Sequence, residues 1–145
     1  MVNEVVTEAP TRPALIIIDH GSRQQAANRL VVEVAAGVQA RRPQQIVEHA
    51  HMEMASPTLG DAVLACRRQG AKKILILPYF LAPGLHTRET IPACVAQQAA
   101  RHPDLEFEIG EPLGVHDKLI DVLLERANFP CDSTANGPAP KAKKV

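Results

Sequence analysis

Four short apolar runs, each separated from the next by enough residues for a crossover helix, narrow the folds open to this chain more than any other feature. The first, inside "LIIIDHGSR" (15–23), is uninterrupted from residue 14 to 18, as expected of a strand buried on both faces in a parallel sheet. Runs at 46–52, 73–80 ("KILILPYF") and 105–109 resemble it. Between the first two, residues 22–41 carry Ala, Leu and Val at helical spacing, with Ser22 placed to cap the N-terminus and Arg41 and Arg42 suited to the C-terminus. A second helix is predicted over 57–69, capped by Ser56, opened by Pro57 and stopped by Gly70. Further helices are predicted over 90–101 and 115–126. Strand and helix alternate, which predicts an α/β fold with a four-stranded, mostly parallel sheet and helices on both faces.

At 145 residues with 46% hydrophobic content, the chain can bury one real core, here assigned to 13–128. Residues 1–12 and 129–145 ("FPCDSTANGPAPKAKKV") have little to bury, so a flexible N-terminal segment and a disordered tail are expected there. Sixteen basic and sixteen acidic residues cancel, which removes the electrostatic footprint of a nucleic-acid binder. No apolar run approaches the roughly 20 residues of a membrane span, and the opening residues lack the apolar core of a signal peptide; a cytoplasmic location is expected. Cys66, Cys94 and Cys131 are odd in number and widely spaced, suggesting neither a disulfide framework nor a thiolate metal site.

In an open parallel α/β sheet the functional crevice lies beyond the carboxyl ends of the strands. There this chain places Asp19, His20, Gly21, Ser22 and Arg23 after the first strand, His51 and Glu53 at the end of the second, and His86 in a loop after the third. Imidazole nitrogens with a carboxylate suit borderline divalent ions such as iron, cobalt, nickel or zinc. Each residue also has a plainer reading. His20 could hydrogen-bond a neighbouring loop, Glu53 could cap the helix before Pro57, and His86 could be an idle exposed histidine beside Pro83 and Gly84. Asp19 could orient His20, pair with an arginine or cap the following turn. His49 and His51 alternate with apolar neighbours, so at least one reads as a core or interface histidine, and His102 and His116 read as local helix-end groups. "DHGSR" could also bind an anion at the following helix, but it has one glycine where a dinucleotide fingerprint has three, and no G-K-[ST]. A serine-hydrolase elbow is missing around Ser22.

The stretches "IIIDHGSR", "AHMEMASPTLGDAV", "GAKKILILPYFLAPGLHTRETIP" and "EPLGVHDKLIDVLLER", in this order over about 14–126, resemble the small class II tetrapyrrole chelatases of the sirohydrochlorin chelatase family. Within that family the wording is most similar to the iron-inserting members. The resemblance implies a chelatase-like single domain and a lyase that inserts a divalent metal, Fe2+ first and Co2+ next, into sirohydrochlorin, as in sirohaem or cobalamin synthesis. It implies that His20 and His86 bind the metal across a cleft and that Glu53 assists as a third ligand or proton acceptor. Arg23 and Arg88, beside these histidines, together with Ser22, are the expected contacts for the substrate's carboxylates, with Asp19 and Glu89 in support. One departure stands out. The family pattern H-x-x-x-D-I-P reads "HTRETIP" here, with Thr90 in place of Asp, so that either Glu89 substitutes or the acid is dispensable.

No permanent cofactor is implied, the metal being a substrate; the iron–sulphur cluster of plant-type relatives is not carried over, because Cys131 alone in the tail cannot build one. The length is about half that of two-lobed chelatases, which implies a homodimer. Two other classes stay open: a metal carrier that performs no insertion, and a tetrapyrrole-binding module in which Thr90 marks lost catalysis.

Overall fold

A computed structural model describes residues 12–129. The expectations of a flexible start and a disordered tail, Cys131 included, therefore fall almost wholly outside the described residues. Within them the elements are β1 (Ala14–Asp19), α1 (Gln25–Arg41), β2 (Val47–His51), α2 (Leu59–Arg68), β3 (Lys73–Pro78), a π-helical turn (His86–Thr90), α3 (Ile91–Arg101), β4 (Glu106–Ile109) and α4 (Asp117–Arg126). All three strand pairings are parallel and the order is β2-β1-β3-β4.

Given that order, handedness places the helices. Crossovers between parallel strands are right-handed, so stepping from β1 outward to β2 puts α1 on one face of the sheet. Stepping back the other way to β3, and on to β4, puts α2 and α3 on the opposite face. The core is accordingly in two parts. Ile16, Ile18, Ile74 and Ile76 pack under Leu59, Ala62, Val63 and Cys66 of α2 and Ile91 and Val95 of α3. Ile17 packs with Val31 and Ala35 of α1 on the other face. Each of these fully buried isoleucines contributes about 1.5–3 kcal/mol over its exposed state. Burial also pushes the Cys66 thiol up to about 12, which makes it an inert core group. Among the described residues no helix is long and apolar enough to cross a membrane.

Helix starts depart from the sequence reading. Ser22 does not cap α1; the N-cap is Gln24, and the Ser22 hydroxyl instead accepts from the Gln24 backbone N–H at 3.1 Å. Nor does Ser56 cap α2 with Pro57 in the first helical position. Thr58 and Asp61 form a reciprocal capping box, which satisfies two orphan donors where a serine before proline satisfies fewer, so α2 begins at Leu59. His116 caps α4, its Nδ1 accepting from the Lys118 N–H at 3.1 Å, which moves that start from 115 to 117.

Candidate functional site

The point where strand order reverses lies between β1 and β3, and the chain's chemistry collects there. His20 follows β1 directly and His86 follows β3; their rings meet edge to face with centroids 4.9 Å apart and an interplanar angle of 71°. Glu53, two residues beyond β2, brings Oε1 to 2.9 Å from His20 Nε2. Thus side chains from three strand ends, distant in sequence, share one site. Both partners of the His20–Glu53 contact are partly exposed, so the site is open to a ligand. The Gly21 carbonyl accepts from His20 Nδ1 at 3.2 Å, which leaves Nε2 as the nitrogen that faces Glu53.

Backbone bonds hold these loops together. Met52 N–H donates to the Asp19 carbonyl at 2.9 Å and Glu53 N–H to the His20 carbonyl at 3.1 Å, so the β1 and β2 ends continue pairing past the sheet. Gly21 makes the crossing possible. It has a φ of +84°, and a Cβ there would lie 2.0 Å from the Glu53 carbonyl oxygen and 3.1 Å from His51 Cβ. Asn28 of α1 clamps the same loop through Ser22: its side-chain oxygen accepts from the Ser22 N–H at 2.9 Å and its amide donates to the Ser22 carbonyl at 2.8 Å. Sequence reasoning missed Asn28; an asparagine, a poor helix former, in the first turn of the helix that follows the His20 loop was its signal.

His86 does not lie in a loop, as the sequence reading had it. A turn of π-helix runs from His86 into α3, with Ile91 N–H donating to the His86 carbonyl five residues back. Pro92 gives the reason: it lacks the N–H that would bond the residue four back and its ring crowds that carbonyl, so the turn widens. The Thr87 hydroxyl fixes the entrance by accepting from Gly84 N–H at 2.8 Å and donating to the Gly84 carbonyl at 3.0 Å. Thr90, where an acid was expected, places its hydroxyl 3.5 Å from His86 Nδ1, while Glu89 is exposed. Bonds from Leu113 N–H to the Phe80 carbonyl and from Gly114 N–H to the Leu81 carbonyl, both 2.8 Å, tie the loop before His86 to the segment leading into α4.

Arg23 is exposed in the loop after His20 and Arg88 in the π-helical turn that carries His86, and among the described residues neither forms an ion pair. Asp19 takes none of the partners foreseen for it. It accepts from Nδ1 of His51 at 2.5 Å, and His51 is 1% exposed, so this histidine is a core group and not part of the open site. Glu53 faces His20 and does not cap a helix. Among the described residues no three His, Cys, Asp or Glu side chains are grouped so as to hold a metal ion.

Comparison with known proteins agrees with this architecture. A chloroplastic sirohydrochlorin ferrochelatase of Arabidopsis thaliana is 38% identical over 125 residues, covering 86% of this chain and 55% of that protein. A sirohydrochlorin cobaltochelatase of Methanocaldococcus jannaschii is 32% identical over 138 residues, covering 79% of this chain and 96% of the relative. The structure of SirB from Bacillus subtilis with Fe3+ superposes with a TM-score of 0.75 at 25% identity, covering 83% of this chain and 49% of SirB. The chain spans about half the length of the plant ferrochelatase and of SirB. The family model described as CbiX matches residues 14–128, and the chain belongs to the CbiX family of chelatases.

Proposed function

We propose that this protein inserts a divalent metal into sirohydrochlorin, with Fe2+ and Co2+ as the metals to which the names of its relatives point. The observation that carries the reading is the facing of His20 and His86 across the strand-order reversal, with Glu53 against His20. Insertion requires that water leave the metal, that the ring nitrogens be exposed and that two N–H protons be removed. Imidazoles displace some of the metal's water yet release the ion, whereas a closed thiolate set would retain it. His20 Nε2 and Glu53 Oε1, 2.9 Å apart, would with the facing His86 ring be the groups to receive the ion, and so open a set would bind it exchangeably. In this reading His20 and His86 present the metal, and the Glu53 carboxylate stands beside it as ligand or proton acceptor. Arg23, Arg88 and Ser22 hold the carboxylates of the ring, Thr90 orients His86 through Nδ1, and Glu89 lies at the rim.

A homodimer belongs to the same proposal. The macrocycle needs walls on both faces. Beside the loop that leads to His86, Leu81, Val115, Ile120 and Leu123 surround an apolar groove of about 410 Å3, with Val115 94% and Leu123 70% exposed. A second copy seated there would complete the cleft, and Leu123→Glu would then give a monomer in sedimentation; an unchanged mass would remove this surface from the interface. The cytosol, where thiols such as those of Cys66 and Cys94 stay reduced, is the proposed compartment.

The deciding experiment follows sirohydrochlorin absorbance anaerobically with Fe2+ or Co2+, comparing wild type, His20→Ala/His86→Ala and no protein. Protein-dependent conversion that the double variant loses supports the chelatase. Spectra of binding without conversion would replace it with a carrier or tetrapyrrole-binding module.

A further inference from the structure

Just behind the site, one residue before His20 and two before Glu53, lies a largely buried hydrogen-bonded pair that the proposed chemistry does not use. Asp19 and His51 are the last residues of β1 and β2 and stand opposite one another in register. His51 Nδ1 donates to Asp19 Oδ1 at 2.5 Å, with the His51 side chain 1% and the Asp19 side chain 19% exposed. Alternation along the strands puts both on the α1 side of the sheet with Ile17 and Val47, whereas His20 is the next residue along. The pair therefore acts on the site through the backbone.

A buried polar pair is a poor device for stability, because well-packed apolar residues in its place are often neutral or better. What such a pair does well is specify register. Here the two residues that follow Asp19 and His51 in the pairing are those whose relative placement matters: the Asp19 carbonyl receives Met52 N–H and the His20 carbonyl receives Glu53 N–H. His51 N–H, in turn, donates to the Pro57 carbonyl at 2.9 Å, anchoring the far side of the Glu53 loop. A slip at the strand ends would carry Glu53 away from His20.

We infer that Asp19 and His51 are positioning residues, a buried couple that locks the ends of β1 and β2 and thereby sets the approach of Glu53 to His20. The inference rests on the reading of His20 and His86 as metal-handling groups. Misplacing outer partners that orient metal-binding side chains typically costs about 10–100-fold in affinity or activity, and a shift of Glu53 relative to His20, transmitted through the backbone, should cost as much.

The test compares Asp19→Asn, which keeps an acceptor for Nδ1–H, with Asp19→Leu/His51→Leu, which replaces the couple by apolar packing. Co2+ affinity is read from the visible absorption of the protein-bound ion, with His20→Ala/His86→Ala to show that the signal comes from the site; thermal midpoint, kcat and KM for sirohydrochlorin are measured alongside. The double leucine variant should melt no lower than wild type yet bind Co2+ about 10–100-fold more weakly, with kcat falling and KM unmoved, while the asparagine variant stays close to wild type. A double leucine variant that binds Co2+ like wild type would overturn the inference, as would an asparagine variant equally impaired. The Co2+ readout decides this whether or not wild type turns over, so failure of the chelatase reading shows separately as a wild type that binds the ion without converting sirohydrochlorin.

Discussion

Gly21→Ala tests the geometry of the site at its tightest point. A Cβ at this position would stand 2.0 Å from the Glu53 carbonyl oxygen, and contacts under 3.0 Å do not persist, so the two loops must part by about 1 Å or more. The backbone at φ +84° adds about 1–2 kcal/mol for a residue with a side chain. Parting the loops also breaks the 3.1 Å bond from Glu53 N–H to the His20 carbonyl, for about 0.5–1.5 kcal/mol more. The expected destabilisation is about 2–3 kcal/mol, a fall in Tm on the order of 10 °C for a domain of this size. Because Glu53 moves relative to His20, insertion should slow by about a hundredfold even at temperatures where the variant is fully folded. Urea unfolding gives the first quantity and the anaerobic absorbance assay the second. Gly37→Ala is the control: it lies inside α1 with nothing within 4 Å of the added Cβ, and should stabilise by about 0.8–1 kcal/mol without touching turnover. A Gly21→Ala variant as stable and as active as wild type would refute the account of the loop crossing.

Three further outcomes are expected. His86→Ala should abolish most insertion with stability unchanged within about 0.5 kcal/mol, since the side chain is partly exposed; unaltered turnover would remove His86 from the metal path. Arg88→Ala should raise KM for sirohydrochlorin by about tenfold at low salt, an effect that shrinks as salt rises, and a salt-independent defect would argue against carboxylate steering. Burial, reinforced by the neighbouring His51, holds His49 below its ordinary value of 6.5, so the unfolded chain takes up this proton first as pH falls. Stability is therefore complete above about pH 6.5 and declines below it; His49→Gln should flatten that part of the Tm profile, and an unchanged slope would contradict the assignment.

The strands were readable because burial on both faces writes itself into consecutive residues: each observed strand falls within one residue of its predicted run or inside it. Helix starts were less readable. Ser22 and Ser56 both have capping chemistry, but the cap goes to whichever residue the preceding loop delivers in extended geometry next to free N–H groups, and those were Gln24 and Thr58. His86 looked like a loop residue because Pro83 and Gly84 stand just before it; Pro92, further on, marks the place where the helix widens to include it.

From the sequence alone came the alternation of strand and helix, the parallel sheet with two covered faces, and the clustering of His20, Glu53 and His86 at strand ends. These depend on hydrophobic period and on which residues follow each run, both local properties. Only the tertiary structure decided who meets whom. The sheet order brings His86 to His20, and the β1–β2 register pairs Asp19 with His51 across 32 positions of chain. The Gly21 crossing delivers Glu53 to His20. Such partnerships are set by strand order and register, which arise from packing of the whole domain and leave no periodic trace in the chain.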